Sequence, residues 1–281
     1  MAFEIRAMTR DEAKLAWDMG AREGWNPGRH DWELVPAIDP QGCFVGVLDG
    51  KLVSSLVAVH YQGKYGFLGM YIVVPGYRGR GYGLAVWKHG IDYLTREVGV
   101  ECIGLDGVLA NEAIYNKSGF HTAYRITRFS YAVDSVFKRS CPAIEERHFP
   151  DIADYDLRVF KVDRAAFLHD FIFKSEAKTA VVYQGGKLLG LAMARPCFTG
   201  YKIGPLLADD IEVARALTES LLAELLGEMT FIEVPEPNQP ALRLVNELGM
   251  SRGMATNRMY TCDKYDQDTS RTYAVATRVV G

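Results

Sequence analysis

A mixed α/β fold with a largely antiparallel sheet, present twice along the chain, is what the sequence predicts, and three observations predict it. Two helical segments are followed by three strand-like runs separated by tight turns, which makes an antiparallel meander. The periodicity then switches to helical just past a glycine-rich junction after Pro75. Finally, the turn that opens the meander and the helix stop that closes the first half both recur, in order, in the second half.

The chain opens on a short strand over residues 3–8, and Thr9 with Glu12 has the spacing of a capping box that starts a helix ending near Arg22. The run from Glu23 to Gly28 breaks the period, and a second short helix is expected over residues 31–38, before Asp39 and Pro40 turn the chain. Strands are expected at 43–48, 52–61 and 66–74, the first two joined by an Asp49-Gly50 hairpin turn. A helix over 81–98, a strand over 102–105, a short helix over 111–117 and a strand over 122–131 complete the first half.

Lys51 and Lys187, 136 positions apart, each follow a turn glycine and precede an apolar strand; Gly119 and Gly249, 130 apart, each end a helix. Two echoes at nearly one offset favour a duplicated domain. Glycine is also the default helix stop, so each echo alone can arise without duplication. We divide the chain into residues 1–138 and 139–281, with the charged, proline-containing segment 137–154 as connector.

The 281 residues are 48% hydrophobic, enough to core one large or two smaller domains, and the formal net charge is -3. Scattered charge of both signs gives no basic face for nucleic acid, so the expected partner is a small molecule. Cys43, Cys102, Cys141, Cys197 and Cys262 are widely spaced without a CxxC pair, and they read as reduced, buried thiols. No metal site is expected. The first residues are charged and no apolar run approaches a membrane span, so no membrane association and a cytoplasmic location are expected.

Chemistry concentrates at Val73-Val74-Pro75-Gly76-Tyr77-Arg78-Gly79-Arg80-Gly81-Tyr82-Gly83-Leu84. Glycines at alternate positions entering a helix let backbone amides approach a ligand, and unpaired amides at a helix start beside Arg78 and Arg80 suit a phosphate or pyrophosphate. A Walker-type loop lacks its Lys-Ser/Thr here, where Leu84 and Ala85 stand, and G-x-G-x-G is not the dinucleotide spacing. A bare strand-to-helix turn is the bland alternative, which two arginines and three glycines in seven residues do not require.

This stretch resembles motif A of the GNAT superfamily of N-acetyltransferases, Gln/Arg-x-x-Gly-x-Gly/Ala, as Arg78-x-x-Gly81-x-Gly83. The resemblance implies the GNAT fold, a mixed, mostly antiparallel sheet with helices on both faces, here in tandem. It implies acetyl-CoA as the acyl donor: amides of Gly79, Arg80, Gly81, Tyr82, Gly83 and Leu84 with Arg78 at the pyrophosphate, and the backbone edge of Tyr71, Ile72 and Val73 along the pantetheine arm. Tyr115-x-x-x-Gly119-Phe120 is similar to motif B, whose tyrosine protonates the departing thiolate. Many relatives carry an asparagine seven residues before that tyrosine; this chain has Val108. The implied activity is transfer of an acetyl group to a primary amine of a small molecule. A protein lysine or N-terminus as acceptor, or a non-catalytic CoA-binding regulator, are the alternatives, and Tyr115 argues against the last.

For the amine's proton, Glu23 and Asp106 are candidate bases. Trp25 and Asn26, on the loop between the first helices, are candidate substrate-binding residues, with an ordinary Asx-Pro-Gly turn as the alternative. The second half resembles a degenerate GNAT domain, because Asp209, Asp210 and Glu212 stand where a pyrophosphate would need amides and cations. One CoA site per chain follows, with Tyr201 and Met259 as the second half's candidate contributions to the acceptor pocket.

Overall fold

The computed structural model describes residues 2–281. In the first half β1 (Phe3–Ala7) leads to α1 (Arg10–Arg22) and α2 (Asp31–Leu34), then to the meander β2 (Cys43–Leu48), β3 (Lys51–Tyr61) and β4 (Tyr65–Val73). α3 (Tyr82–Asp92), β5 (Cys102–Val108), α4 (Glu112–Asn116) and β6 (His121–Ala132) follow. The second half is α5 (Phe149–Phe160), α6 (Ala165–Phe173), β7 (Lys178–Gln184), β8 (Lys187–Pro196), β9 (Tyr201–Ala208), α7 (Ile211–Leu222), β10 (Met229–Pro235), α8 (Gln239–Glu247), β11 (Ser251–Tyr260) and β12 (Thr272–Ala274).

Local signals place most boundaries. Thr9 accepts from the Glu12 amide while the Glu12 carboxylate accepts from the Thr9 amide, the reciprocal cap that starts α1. Such a cap contributes about 1 kcal/mol. Arg6 also grips Glu12, and this pairing, ahead of the Thr9 amide, holds the Glu12 carboxyl at about 2. The expected helix over 31–38 keeps only its first turn, since Asp39 turns inward to bond the Tyr93 hydroxyl and the amides of Gln41 and Gly42. The helix after Gly81 does run to Val98, its last turn widened to π geometry and stopped by Gly99 at φ 79°. Within the expected connector, α5 begins at Phe149, because Pro150 fits a first helical turn, where no amide partner is lost.

One sheet runs through the molecule in the order β1-β2-β3-β4-β5-β11-β6-β10-β9-β8-β7, with β12 against β9. The halves exchange their last strands. β11 of the second half lies between β5 and β6, antiparallel to both, and β6 of the first half pairs antiparallel with β10. Apolar residues gather in one cluster under each half and a third that spans them, joining Trp17, Phe67 and Phe160. Full burial of such a side chain contributes roughly 1.5–3 kcal/mol.

The strand exchange corrects one expectation. Cys102 and Cys262 are not free thiols but a disulfide, because β11 runs antiparallel to β5 with Tyr260 opposite Gly104 and so carries Cys262 to Cys102. A pairing 160 residues apart leaves no mark in local sequence. Cys43, Cys141 and Cys197 are free and buried. No helix among the described residues is long and apolar enough to cross a membrane.

Candidate active site

The site is set where β4 and β5 part. They pair in parallel from Tyr65 opposite Cys102 to Leu68 opposite Leu105; beyond that β5 keeps only its other neighbour, β11, which it pairs from Gly104 opposite Tyr260 to Val108 opposite Thr256. The cause lies on the other edge of β4. Met70 and Tyr71 stand opposite Leu56 alone in the β3 register, a bulge that bends the strand. Met70 takes φ 48°, a left-handed conformation uncommon outside glycine, and its carbonyl accepts from the Ser55 hydroxyl at 2.9 Å. Among the described residues no strand pairs with the cleft side of β4 at Tyr71, Ile72 and Val73.

Past β4 the chain enters α3 through Gly79 and Gly81, at φ 75° and 88°, values that glycine adopts without strain. Gly81 is the N-cap and supplies no side chain to the helix amides. At Gly83 a Cβ would stand 2.7 Å from Val73 Cγ2 and 2.8 Å from the Tyr71 hydroxyl, so only glycine lets α3 start against the end of β4. The structure thus brings the glycine loop and the free strand edge together. Arg78 is anchored, Nε donating to the Val73 carbonyl and the guanidinium pairing with Glu23, whereas Arg80 lies over the Tyr77 ring. Tyr82 packs on Phe3, and Leu84 is exposed.

A cavity of about 70 Å³ occupies the cleft. Its first-half walls are Leu68, Gly69, Met70 and Tyr71 of β4, Asp106 and Val108 of β5, and Tyr115. Tyr115 is buried against Trp87, their centroids 5.4 Å apart, in space that exists because position 107 is glycine: a Cβ there would stand 2.6 Å from the Tyr115 ring. Burial raises the Tyr115 pKa, and a hydrogen bond with Asn111 opposes the rise.

The loop between α1 and α2 forms the next wall through Trp25 and Pro27. Asn26 does not line the cavity. Its amide donates to the Thr199 carbonyl at 2.9 Å and accepts the Thr199 amide at 2.8 Å, docking the loop on the second half. Buried Arg195 pairs with Asp31 under the same loop, and Arg128 donates to the carbonyls of Gly24 and Trp25. Glu23 stays outside, on Arg78.

The second half does complete the cavity, but not through Tyr201 and Met259. Met259 is fully buried in the first half's core and Tyr201 packs in the second's. Strand side chains alternate faces, so their neighbours point the other way: Lys202 lines the cavity, and Arg258 grips Asp106 through Nε to Oδ1 at 2.6 Å and Nη2 to Oδ2 at 2.9 Å. Met254, Thr256, Thr277, Arg278 and Val279 complete this side. The segment 277–279 reaches it by crossing β4 at Gly69, where a Cβ would stand 2.3 Å from the Val279 carbonyl oxygen.

Behind the cavity Glu233 Oε1 faces Arg128 at 2.7 Å, Lys202 at 3.4 Å and Arg278 at 3.2 Å. Desolvation alone would raise the Glu233 pKa; the cations, Arg278 foremost, hold it well below the carboxylate range. Burial likewise raises Asp106, against the pull of Arg258, and lowers Lys202, against that of Glu233. Sequence reading passed over Arg128, Lys202, Glu233, Arg258 and Arg278. For Glu233 the signal was a lone charge inside an apolar strand run, Phe231-Ile232-Glu233-Val234.

The "Acetyltransferase (GNAT) family" model matches residues 8–120, and the "Acetyltransferase (GNAT) domain" model matches residues 152–274. A holothin acyltransferase of Pseudoalteromonas sp. (strain SANK 73390) is 26% identical over 279 residues, 96% of this chain and 92% of that one. Among solved structures, a protein assigned as an acetyltransferase from Pyrococcus horikoshii superposes with a TM-score of 0.84 at 22% identity, covering 99% of this chain and 96% of that one. A tandem GNAT protein from the clavulanic acid biosynthesis pathway gives 0.67 at 15% identity, covering 92% of this chain and 98% of its own.

Proposed function

The chain belongs to the GNAT family of acyltransferases, and on that premise we propose that it is an acetyl-CoA-dependent N-acetyltransferase acting on a primary amine of a small molecule. One observation carries the reading: the free edge of β4 runs from an uncapped, glycine-lined helix start to a cavity walled by Tyr115. The open edge suits the pantetheine amides, which can pair as a neighbouring strand does. The amides of residues 79–84, with Arg80 beside them and Arg78 fixing the end of β4, suit the pyrophosphate. Bound acetyl-CoA supplies the acyl group as a thioester.

Tyr115 holds, at its hydroxyl, the proton that the departing sulfur takes up as the C–N bond forms and the C–S bond breaks. Its raised pKa keeps it protonated through the neutral range. Of the two carboxylates considered as base, only Asp106 reaches the cavity, and burial raises its pKa, which favours proton uptake there. The cavity is walled by the docked 23–31 loop and by the second half, which favours a small acceptor over a protein chain.

Calorimetric titration of acetyl-CoA into the protein and into a Gly81→Leu/Gly83→Leu variant tests the reading. Saturable binding near one site per chain, lost in the variant, is expected, followed by turnover with a panel of amines. Absence of binding to the parent protein overturns it.

A further inference from the structure

The Arg278 side chain is only 11% exposed, and its Nε, Nη1 and Nη2 all lack both solvent contact and a hydrogen-bond partner. Glu233 Oε1 is near Nε, at 3.2 Å, but not along a direction in which the N–H can donate. That oxygen already accepts twice from Arg128, at 3.0 and 2.7 Å, and has Lys202 Nζ at 3.4 Å. Three cations therefore share one carboxylate. Asp106, the acid that lines the cavity itself, is held through both oxygens by Arg258. A buried charge without a matched partner is costly, and native proteins seldom leave one without a use.

Arg278 and Lys202 both line the cavity that Tyr115 and the bulge of β4 also line. A guanidinium presents its N–H groups as a planar fork that matches a carboxylate, two bonds at once. Glu233 Oε2 is also without a partner, so the cluster offers one acceptor beside these donors, but its charge balance calls for an anion.

We propose that the acyl acceptor is an amine bearing a carboxylate, the carboxylate seated on Arg278 with Lys202 beside it and the amine directed toward the Tyr115 side of the cavity. This rests on the acyltransferase reading above and narrows its substrate to amino acids and their short relatives. A carboxylate on the acyl group, as in a succinyl donor, is the other source of the same chemistry.

The test compares amines that differ only in the carboxylate, such as lysine with cadaverine and ornithine with putrescine, using acetyl-CoA as donor. The parent protein should favour the carboxylate-bearing member in kcat/KM by about tenfold or more, through KM, as loss of a charge-assisted pair predicts. In Arg278→Met the ratio should fall to within about threefold of unity, and Arg278→Lys should give an intermediate value, since lysine keeps the charge but lacks the fork. Acetyl-CoA calorimetry on each variant separates a lost acceptor site from a lost fold. A ratio near unity in the parent protein overturns the proposal. So does a loss in Arg278→Met that falls on succinyl-CoA turnover and leaves the amine ratio intact. If no amine is turned over, binding of the same amino acids by calorimetry decides: binding that Arg278→Met abolishes sustains the carboxylate site while removing the transfer reading, and no binding removes the site.

Discussion

The cleft between β4 and β5 and its counterpart between β9 and β10 are built alike as far as the bulge and differently beyond it. In the first, Met70 and Tyr71 oppose Leu56 alone; in the second, Gly204 and Pro205 oppose Met193 alone, at the same point of the repeated meander. Both strand pairs part just there, after Leu68 and Leu105 in one and Ile203 and Ile232 in the other. The second cleft is then filled by the chain itself. β12 pairs with β9 at Leu206 and Leu207, and the Val275 amide donates to the Glu233 carbonyl across the gap. At the following junction Asp210 caps α7 through the Val213 amide, where Gly81 leaves α3 bare. Asp209 is held by Tyr155, Lys187 and Arg271. The position echoing Tyr115 is the buried Val245. A scaffold that opens a strand edge and a helix start has thus been kept twice and satisfied from within once. The same segment goes on from β12 to wall the first cleft at Thr277, Arg278 and Val279, so filling one cleft shapes the other.

The comparison breaks most visibly at the proposed acid, Tyr115. Tyr115→Phe should lower kcat by about 100- to 10,000-fold while acetyl-CoA affinity stays within about threefold, because the aromatic packing on Trp87 survives. Since burial raises the tyrosine pKa, the parent's alkaline limb in kcat should lie above the ordinary tyrosine range. Next comes the exchanged strand. Arg258→Met strands Asp106 in a fully buried site and should cost about 3–5 kcal/mol in denaturant unfolding. Moving the second half's cap into the first, as Gly81→Asp, should weaken acetyl-CoA binding about 100-fold, or roughly 2.7 kcal/mol by calorimetry. The smallest effect is the converse: Asp210→Ala should cost about 1 kcal/mol of stability and leave acetyl-CoA affinity unchanged. Lost affinity there would mean the two junctions are not independent.

Much of this was legible before any fold was known because it is local. Thr9 and Glu12 announce a helix, the alternation after Gly50 announces strands, and glycines at 79 and 81 meet positive φ while that at 83 leaves room for Val73 and Tyr71. Acids at 209, 210 and 212 mark the second junction as unlike the first for the same reason: charge beside a helix start acts over a few residues. Beyond Trp25 and Asp106, the wall of the cavity away from Tyr115 was not legible. It arises from contacts between positions far apart in sequence, Arg258 on Asp106, Asn26 on Thr199, Cys262 on Cys102, and from strand phase, where one residue's shift exchanges Tyr201 for Lys202. The sequence by itself determined the repeated meander and the open helix start, since each rests on the conformational limits of a short stretch, and it marked Tyr115 by its spacing to Gly119 and Phe120. Only the tertiary structure decided that the halves exchange strands, that β12 closes the second cleft and that Arg278 stands without a hydrogen-bond partner in the first, because pairing and burial belong to whatever the fold brings alongside.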